Sequence, residues 1–170
     1  MDSNKILYSK GKNDECYTPL EGVLPIIKYI PKDKIIWCPF DTKDSNFVKE
    51  ISKTNKVIYS HIETNQDFFE YEPKEWDIII SNPPFTNKRL YFERALSFNK
   101  PFALLMNINW LNDRSSKMVY KNFNRNMQLL LLDKRINFKQ IDGKINNKIT
   151  FNTSYYCCDF LPRDIILKEI

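Results

Sequence analysis

Three short apolar runs, Ile35–Cys38, Val57–Tyr59 and Trp76–Ile80, lack the every-second-residue alternation of a strand with one wet face. A strand apolar on both faces is covered on both, as in the centre of a mainly parallel sheet with helices on each side. The segments between and around these runs carry helical spacing. Leu20, Val23, Leu24, Ile27 and Ile30 form a stripe, with Thr18 placed to cap the helix and Pro19 at its first position. Pro25 lies inside that stripe, where the helix is expected to kink or restart. Asp44 or Ser45 can cap a second helix that turns Phe47, Val48 and Ile51 inward. Leu90, Ala95, Leu96 and Phe98 suggest a third, and residues 110–123 a fourth. Further strands are expected over 102–106, 128–132 and 154–160, with a long polar loop over 134–152 and a short tail over 162–170. Only a loop separates the last two strands, which predicts an antiparallel hairpin at one edge of the sheet. The fold class is therefore α/β, a Rossmann-like, mainly parallel sheet in a single domain over 1–170, with residues 1–15 a loose polar segment.

The chain has 170 residues, of which 42% are apolar and 14% aromatic, enough to bury one core. No apolar stretch approaches the roughly 20 residues of a membrane helix, and the start Met-Asp-Ser-Asn-Lys has no apolar signal region. Those features predict a cytoplasmic protein with no membrane partner. Cys16, Cys38, Cys157 and Cys158 lack the paired spacing of a zinc site, so no metal is expected. Cys157 and Cys158 are adjacent in an apolar run and should face opposite sides of a strand as reduced, buried thiols. The net charge of +5 suits a nucleic-acid partner without requiring one. Between residues 134 and 148, five basic residues (Lys134, Arg135, Lys139, Lys144, Lys148) face a single acid, Asp142. That segment could contact phosphates or simply be a solvated loop.

In open parallel sheets, ligands bind beyond the carboxyl ends of the strands. Residues 38–41, 60–63 and 81–85 should meet along that rim. The last of these is Ser81-Asn82-Pro83-Pro84-Phe85. An exocyclic amino group is a poor nucleophile because its lone pair is delocalised into the ring. Two acceptors aimed at its hydrogens favour a tetrahedral nitrogen and free the lone pair. Asn82 can supply its side-chain oxygen and Pro83 its backbone carbonyl, while two prolines fix φ and hold both in place. Phe85 offers a flat face to a base removed from its stack.

Trp-Asp-Ile-Ile-Ile-Ser-Asn-Pro-Pro-Phe, residues 76–85, resembles the catalytic motif of S-adenosylmethionine-dependent amino methyltransferases, especially adenine-N6 enzymes. Tyr17-Thr18-Pro19, Trp37-Cys38-Pro39-Phe40-Asp41, Asn46-Phe47-Val48, Tyr59-Ser60-His61-Ile62 and Gln66-Asp67-Phe68-Phe69 extend the resemblance, over most of 15–165, to a small phage-borne methyltransferase-like family. The cofactor segment precedes the catalytic one. The resemblance implies that Asn82, Pro83 and Phe85 are catalytic. It places Tyr17, Thr18 and Pro19 at the methionine end of S-adenosyl-L-methionine, and Cys38, Pro39, Phe40 and Asp41 in the first cofactor loop. It puts His61 near the ribose, Asp67 on the adenine amino group and Phe68 on the adenine ring. Pro84, Trp110, Lys134 and Arg135 are the expected substrate contacts.

Two departures stand out. Residues 38–46 contain no glycine, although that loop normally uses glycines for positive φ and close backbone approach. Pro39 and Phe40 would crowd the usual cofactor path. The second strand ends in Ser60-His61-Ile62, with Glu63 displaced from the expected acidic position. Methyl transfer to an adenine amino group in DNA or RNA is the leading reading. Its alternative is a weak or inactive phage protein of the same fold that binds nucleic acid or a host defence protein. A third reading is methylation of a protein glutamine, whose amide presents similar geometry.

Overall fold

The computed structural model describes residues 17–138 and 150–170. Its order is α1 (Leu20–Ile27), β1 (Ile35–Cys38), α2 (Asn46–Ile51), β2 (Lys56–Tyr59), a 3-10 turn (Ile62–Thr64), β3 (Ile78–Ser81), α3 (Lys88–Ser97), β4 (Phe102–Asn107), a second 3-10 turn (Ile108–Asn112), α4 (Arg114–Asn122), β5 (Gln128–Leu132), β6 (Thr153–Cys158) and β7 (Ile165–Lys168). The strands form one sheet in the order β2-β1-β3-β4-β6-β5-β7. The pairs β1/β2, β1/β3, β3/β4 and β5/β7 are parallel, and β6 runs antiparallel to both neighbours.

The unbroken apolar runs have the expected cause. Ile78 and Ile80 of β3 point into one core layer and Ile79 into the other. Ala103 and Leu105 of β4 alternate with Phe102, Leu104 and Met106 in the same way. The first layer is mostly aliphatic and is completed by Val23 and Ile26 of α1 and by Phe47, Val48 and Ile51 of α2. The second is aromatic, with Trp37, Trp76, Phe92, Trp110, Tyr120 and Tyr156 packed beneath α3 and α4. Cys157 and Cys158 fall in different layers, and Cys38, Cys157 and Cys158 are buried free thiols. Cys16 lies outside the described residues.

Four expectations change. The tail is a strand: β7 pairs Ile165–Lys168 with Leu129–Leu132, so the antiparallel pair β5/β6 has a further strand beyond it. The polar stretch after β5 is not wholly polar in its packing, because Ile136 and Phe138 are buried in the aliphatic layer. Residues 139–149 of that stretch, with Lys139, Lys144 and Lys148, lie outside the described residues. The inner face of α1 is Gly22, Val23, Pro25 and Ile26, while Leu20 and Leu24 are about half exposed. The fourth helix begins only at Arg114, because Ile108–Asn112 forms a 3-10 turn.

The rotation of α1 has a visible steric reason. A Cβ on Gly22 would lie 2.8 Å from Thr18 Cγ2 and 2.9 Å from Ile136 Cδ1. Glycine lets the helix approach, and the buried Tyr155 hydroxyl donates to the Gly22 carbonyl at 2.6 Å. Pro25 is tolerated within α1, on its buried side.

Candidate active site

The sheet reverses its winding between β1 and β3, and the two adjacent strand ends open a cleft. The loop after β1 is tied to the end of β2. The Ser60 N–H donates to the Cys38 carbonyl at 3.1 Å, and the Asp41 N–H donates to the Ser60 carbonyl at 3.3 Å. Trp37 Nε1 donates to Ser60 Oγ at 2.9 Å, which anchors that junction in the core. The loop ends at Ser45, whose hydroxyl accepts from the Val48 N–H at 3.2 Å and caps α2. None of the left-handed residues of the described chain falls between 38 and 46. The absent glycines are therefore consistent with the path this loop takes.

A pocket sits in the cleft. Tyr17 and Thr18 form one wall, and Pro39–Thr42 with Ser45–Phe47 form a second. His61, Ile62, Glu63 and Phe68 form a third, and Asn82, Pro83 and Pro84 close the remaining side. Phe40 does not plug the opening. Its ring leans onto Phe68 and Tyr91, with centroids 4.8 and 5.2 Å away.

Two polar groups in this pocket are unusual. Asp41 is buried, and the Ser81 hydroxyl donates to its carboxylate. Its carboxyl is raised from 3.8 to about 6, because burial outweighs the opposing hydrogen bonds from Ser81 and Ser45 and the nearby His61. The second group is Asn82. Its Nδ2 donates to Thr18 Oγ1 at 3.1 Å, which orients the amide. Its Oδ1 is buried and accepts no hydrogen bond among the described residues. A buried acceptor left unmatched costs about 1–3 kcal/mol, so this atom calls for a donor from outside the described residues, such as water or a ligand. Thr18 was expected to cap α1. Pro19 occupies the cap position, and the Thr18 hydroxyl serves Asn82 instead. The Thr18 carbonyl accepts from Asn46 Nδ2 at 2.9 Å, which fixes this segment to α2.

Of the residues read from the sequence, Tyr17, Thr18, Pro39, Phe40, Asp41, His61, Phe68, Asn82, Pro83 and Pro84 meet in one pocket. Pro19 stands beside it as the cap of α1. Cys38 and Trp110 are buried in the two core layers, away from the pocket lining. Asp67 Oδ1 accepts from the Phe69 N–H at 2.9 Å, and Asp67 does not line the pocket. Phe85 packs edge-on against Phe138 and Phe151, at 5.6 and 5.1 Å. Lys134 and Arg135 are exposed after β5, and Lys134 Nζ donates to the Ile170 carbonyl at 2.5 Å.

Thr42, Ser45, Asn46, Phe47 and Glu63 also line the pocket. Glu63 matters most, because it restores an acid beyond the end of β2. It lies in the first turn after His61, whose Nδ1 accepts the Glu63 N–H at 3.3 Å. The visible clue was the acid two residues past His61. Among the described residues, no His, Cys, Asp and Glu cluster could hold a metal, and no helix is long and apolar enough to cross a membrane.

No family model matches the chain, and no curated protein matches it. Among solved structures, the methyltransferase subunit of a type I restriction-modification system from Streptococcus thermophilus is similar at 10% identity and a TM-score of 0.49. That match covers 95% of this chain and 50% of the subunit, so the chain spans half the length of the protein it matches. A candidate methyltransferase from Thermoplasma acidophilum is similar at 10% identity and a TM-score of 0.42, over 81% of this chain and 72% of that one. Neither likeness assigns a residue role or an activity to this chain.

Proposed function

We propose that the protein is an S-adenosylmethionine-dependent amino methyltransferase acting on an adenine amino group in a nucleic acid. The observation that carries this reading is Asn82 Oδ1, a buried acceptor with no donor among the described residues, held by Thr18 at the end of a parallel strand beside two prolines.

The pocket residues suit the cofactor. Phe40, Ile62 and Phe68 offer an apolar slot for an adenine ring, and Glu63 offers a carboxylate to ribose hydroxyls. Asp41 places a buried carboxylate where a cationic methionine end would offset its charge. When bound, S-adenosylmethionine supplies an electrophilic methyl group on a sulfonium. Asn82 Oδ1 and the Pro83 carbonyl accept the hydrogens of the target amino group and turn its lone pair outward. The prolines make that arrangement a property of the backbone rather than of substrate binding. Nucleic acid is favoured as substrate by the net charge of +5.

Isothermal titration with S-adenosylmethionine should give a micromolar Kd. Incubation with isotopically labelled cofactor and single-stranded DNA or RNA, followed by nucleoside mass spectrometry, should recover N6-methyldeoxyadenosine or N6-methyladenosine respectively. Label found on protein, or a Kd of millimolar or weaker, would overturn the proposal.

A further inference from the structure

We infer that a hollow on the opposite edge of the sheet from Asn82 is a binding site for a phosphate group. Lys117, Tyr120 and Lys121 of α4 line it, together with the connection Asn124–Met127 that leads into β5. The pocket containing Asn82 lies beyond the carboxyl ends of β1, β2 and β3. The hollow lies at the amino end of β5 and the carboxyl end of β6, where Arg125 reaches Cys158 and Asp159. The two sites share no residue.

Lys117 and Lys121 are one helical turn apart and both are exposed. Among the described residues neither forms an ion pair, whereas Arg125 is held by the Asp159 carboxylate and by Cys158 Sγ at 3.5 Å. The hollow therefore carries two uncompensated ammonium groups beside one neutralised guanidinium. A helix carboxyl end carries roughly half a negative charge, which two lysines outweigh. Its last carbonyls are also engaged: Asn124 N–H donates to Lys121 O at 2.9 Å, and Arg125 N–H to Tyr120 O at 3.0 Å.

Tyr120 is the second and independent observation. It lines the hollow, is 2% exposed, and its buried hydroxyl has no hydrogen-bond partner among the described residues. Burial holds it as a neutral phenol, so it retains a proton to donate. Two ammonium groups, a phenol donor and the side-chain amides of Asn124 and Asn126 match the several acceptor oxygens of a phosphate better than a single carboxylate. The surplus positive charge argues against a metal cation.

The test uses the full chain and amide NMR, with inorganic phosphate and a short single-stranded oligonucleotide as separate probes. Resonances of Lys117, Lys121 and Asn124–Met127 should shift. Response to inorganic phosphate identifies a small phosphate compound as sufficient, and response to the oligonucleotide alone identifies a strand. The double variant Lys117→Gln/Lys121→Gln should weaken binding about tenfold and reduce the salt dependence by about one to two phosphate contacts. Tyr120→Phe keeps the ring and should weaken binding about threefold. S-adenosylmethionine binding at the other pocket should not change in either variant. Shifts with neither probe, or undiminished binding by the double variant, would overturn the inference.

Discussion

The turn after β3 and the loop after β1 face each other across one pocket, yet they are stabilised in opposite ways. Asn82–Phe85 is stiffened covalently by Pro83 and Pro84, with Thr18 orienting the Asn82 amide. Pro39–Ser45 is held by hydrogen bonds, several of which converge on Asp41, a carboxylate that is costly to ionise. The first element contains no titrating side chain. The second contains a group that titrates close to neutrality. In the proposed reaction the acceptor end is thus preorganised by the backbone, while the cofactor end depends on charge.

Asn82→Ala should break the first element most severely. We expect kcat to fall about 100- to 1000-fold, the range for removing one preorganised polar group, with cofactor affinity nearly intact by titration. Asp41→Asn should separate the two elements. Its carboxyl is raised on folding, so its ionisation lowers stability as pH rises from 3.8 through about 6. Below 3.8 the native and unfolded chains both carry the proton, and this penalty is absent. The variant should therefore gain up to about 3 kcal/mol at pH 8 and lose that part of the pH dependence in denaturant melts. Its S-adenosylmethionine affinity should drop about tenfold, and the wild-type affinity should decline below about pH 6, whereas the variant's should not.

Thr18→Val removes the hydroxyl that orients Asn82 while preserving shape. A fall in kcat of about tenfold, recovered by Thr18→Ser, would fit a net hydrogen-bond contribution of about 1–1.5 kcal/mol. An unchanged kcat would mean that the prolines alone suffice. Ser45→Ala should have the smallest effect, about 1 kcal/mol of stability from the lost helix cap. It should also raise the Asp41 carboxyl further, because one of its hydrogen bonds disappears.

The parts of this design that were legible in the sequence are those where local chemistry and position coincide. Unbroken runs such as Ile78–Ile80 reveal strands covered on both faces, and Asn82-Pro83-Pro84 declares its turn without tertiary help. β7 was not legible because Ile165 and Leu167 are exposed, and the strand owes its form to pairing with β5. Ile136 and Phe138 were hidden among polar neighbours, since only tertiary packing buries them, Ile136 against Gly22 and Phe138 against Phe85. In the site, Asp41 and Phe68 line the pocket, but Asp67 beside Phe68 turns into its own backbone. Trp110 follows a strand end, a place typical of substrate contacts, yet its ring packs 4.5 Å from Phe92 in the aromatic layer. Glu63 returns to the pocket through a 3-10 turn that no periodicity announces.

β6 also sets an order of events during synthesis. β5 pairs only with β6 and β7 among the described strands, so nothing translated before Thr153 can attach it to β4. A nascent chain that has reached Leu132 can assemble the parallel half from β1 to β4, including both sides of the cleft at Asn82. The β6-facing edges of β4 and β5 stay unpaired until the tyrosines and cysteines of β6 emerge and slot between them. Until that insertion, those edges are open to any passing strand.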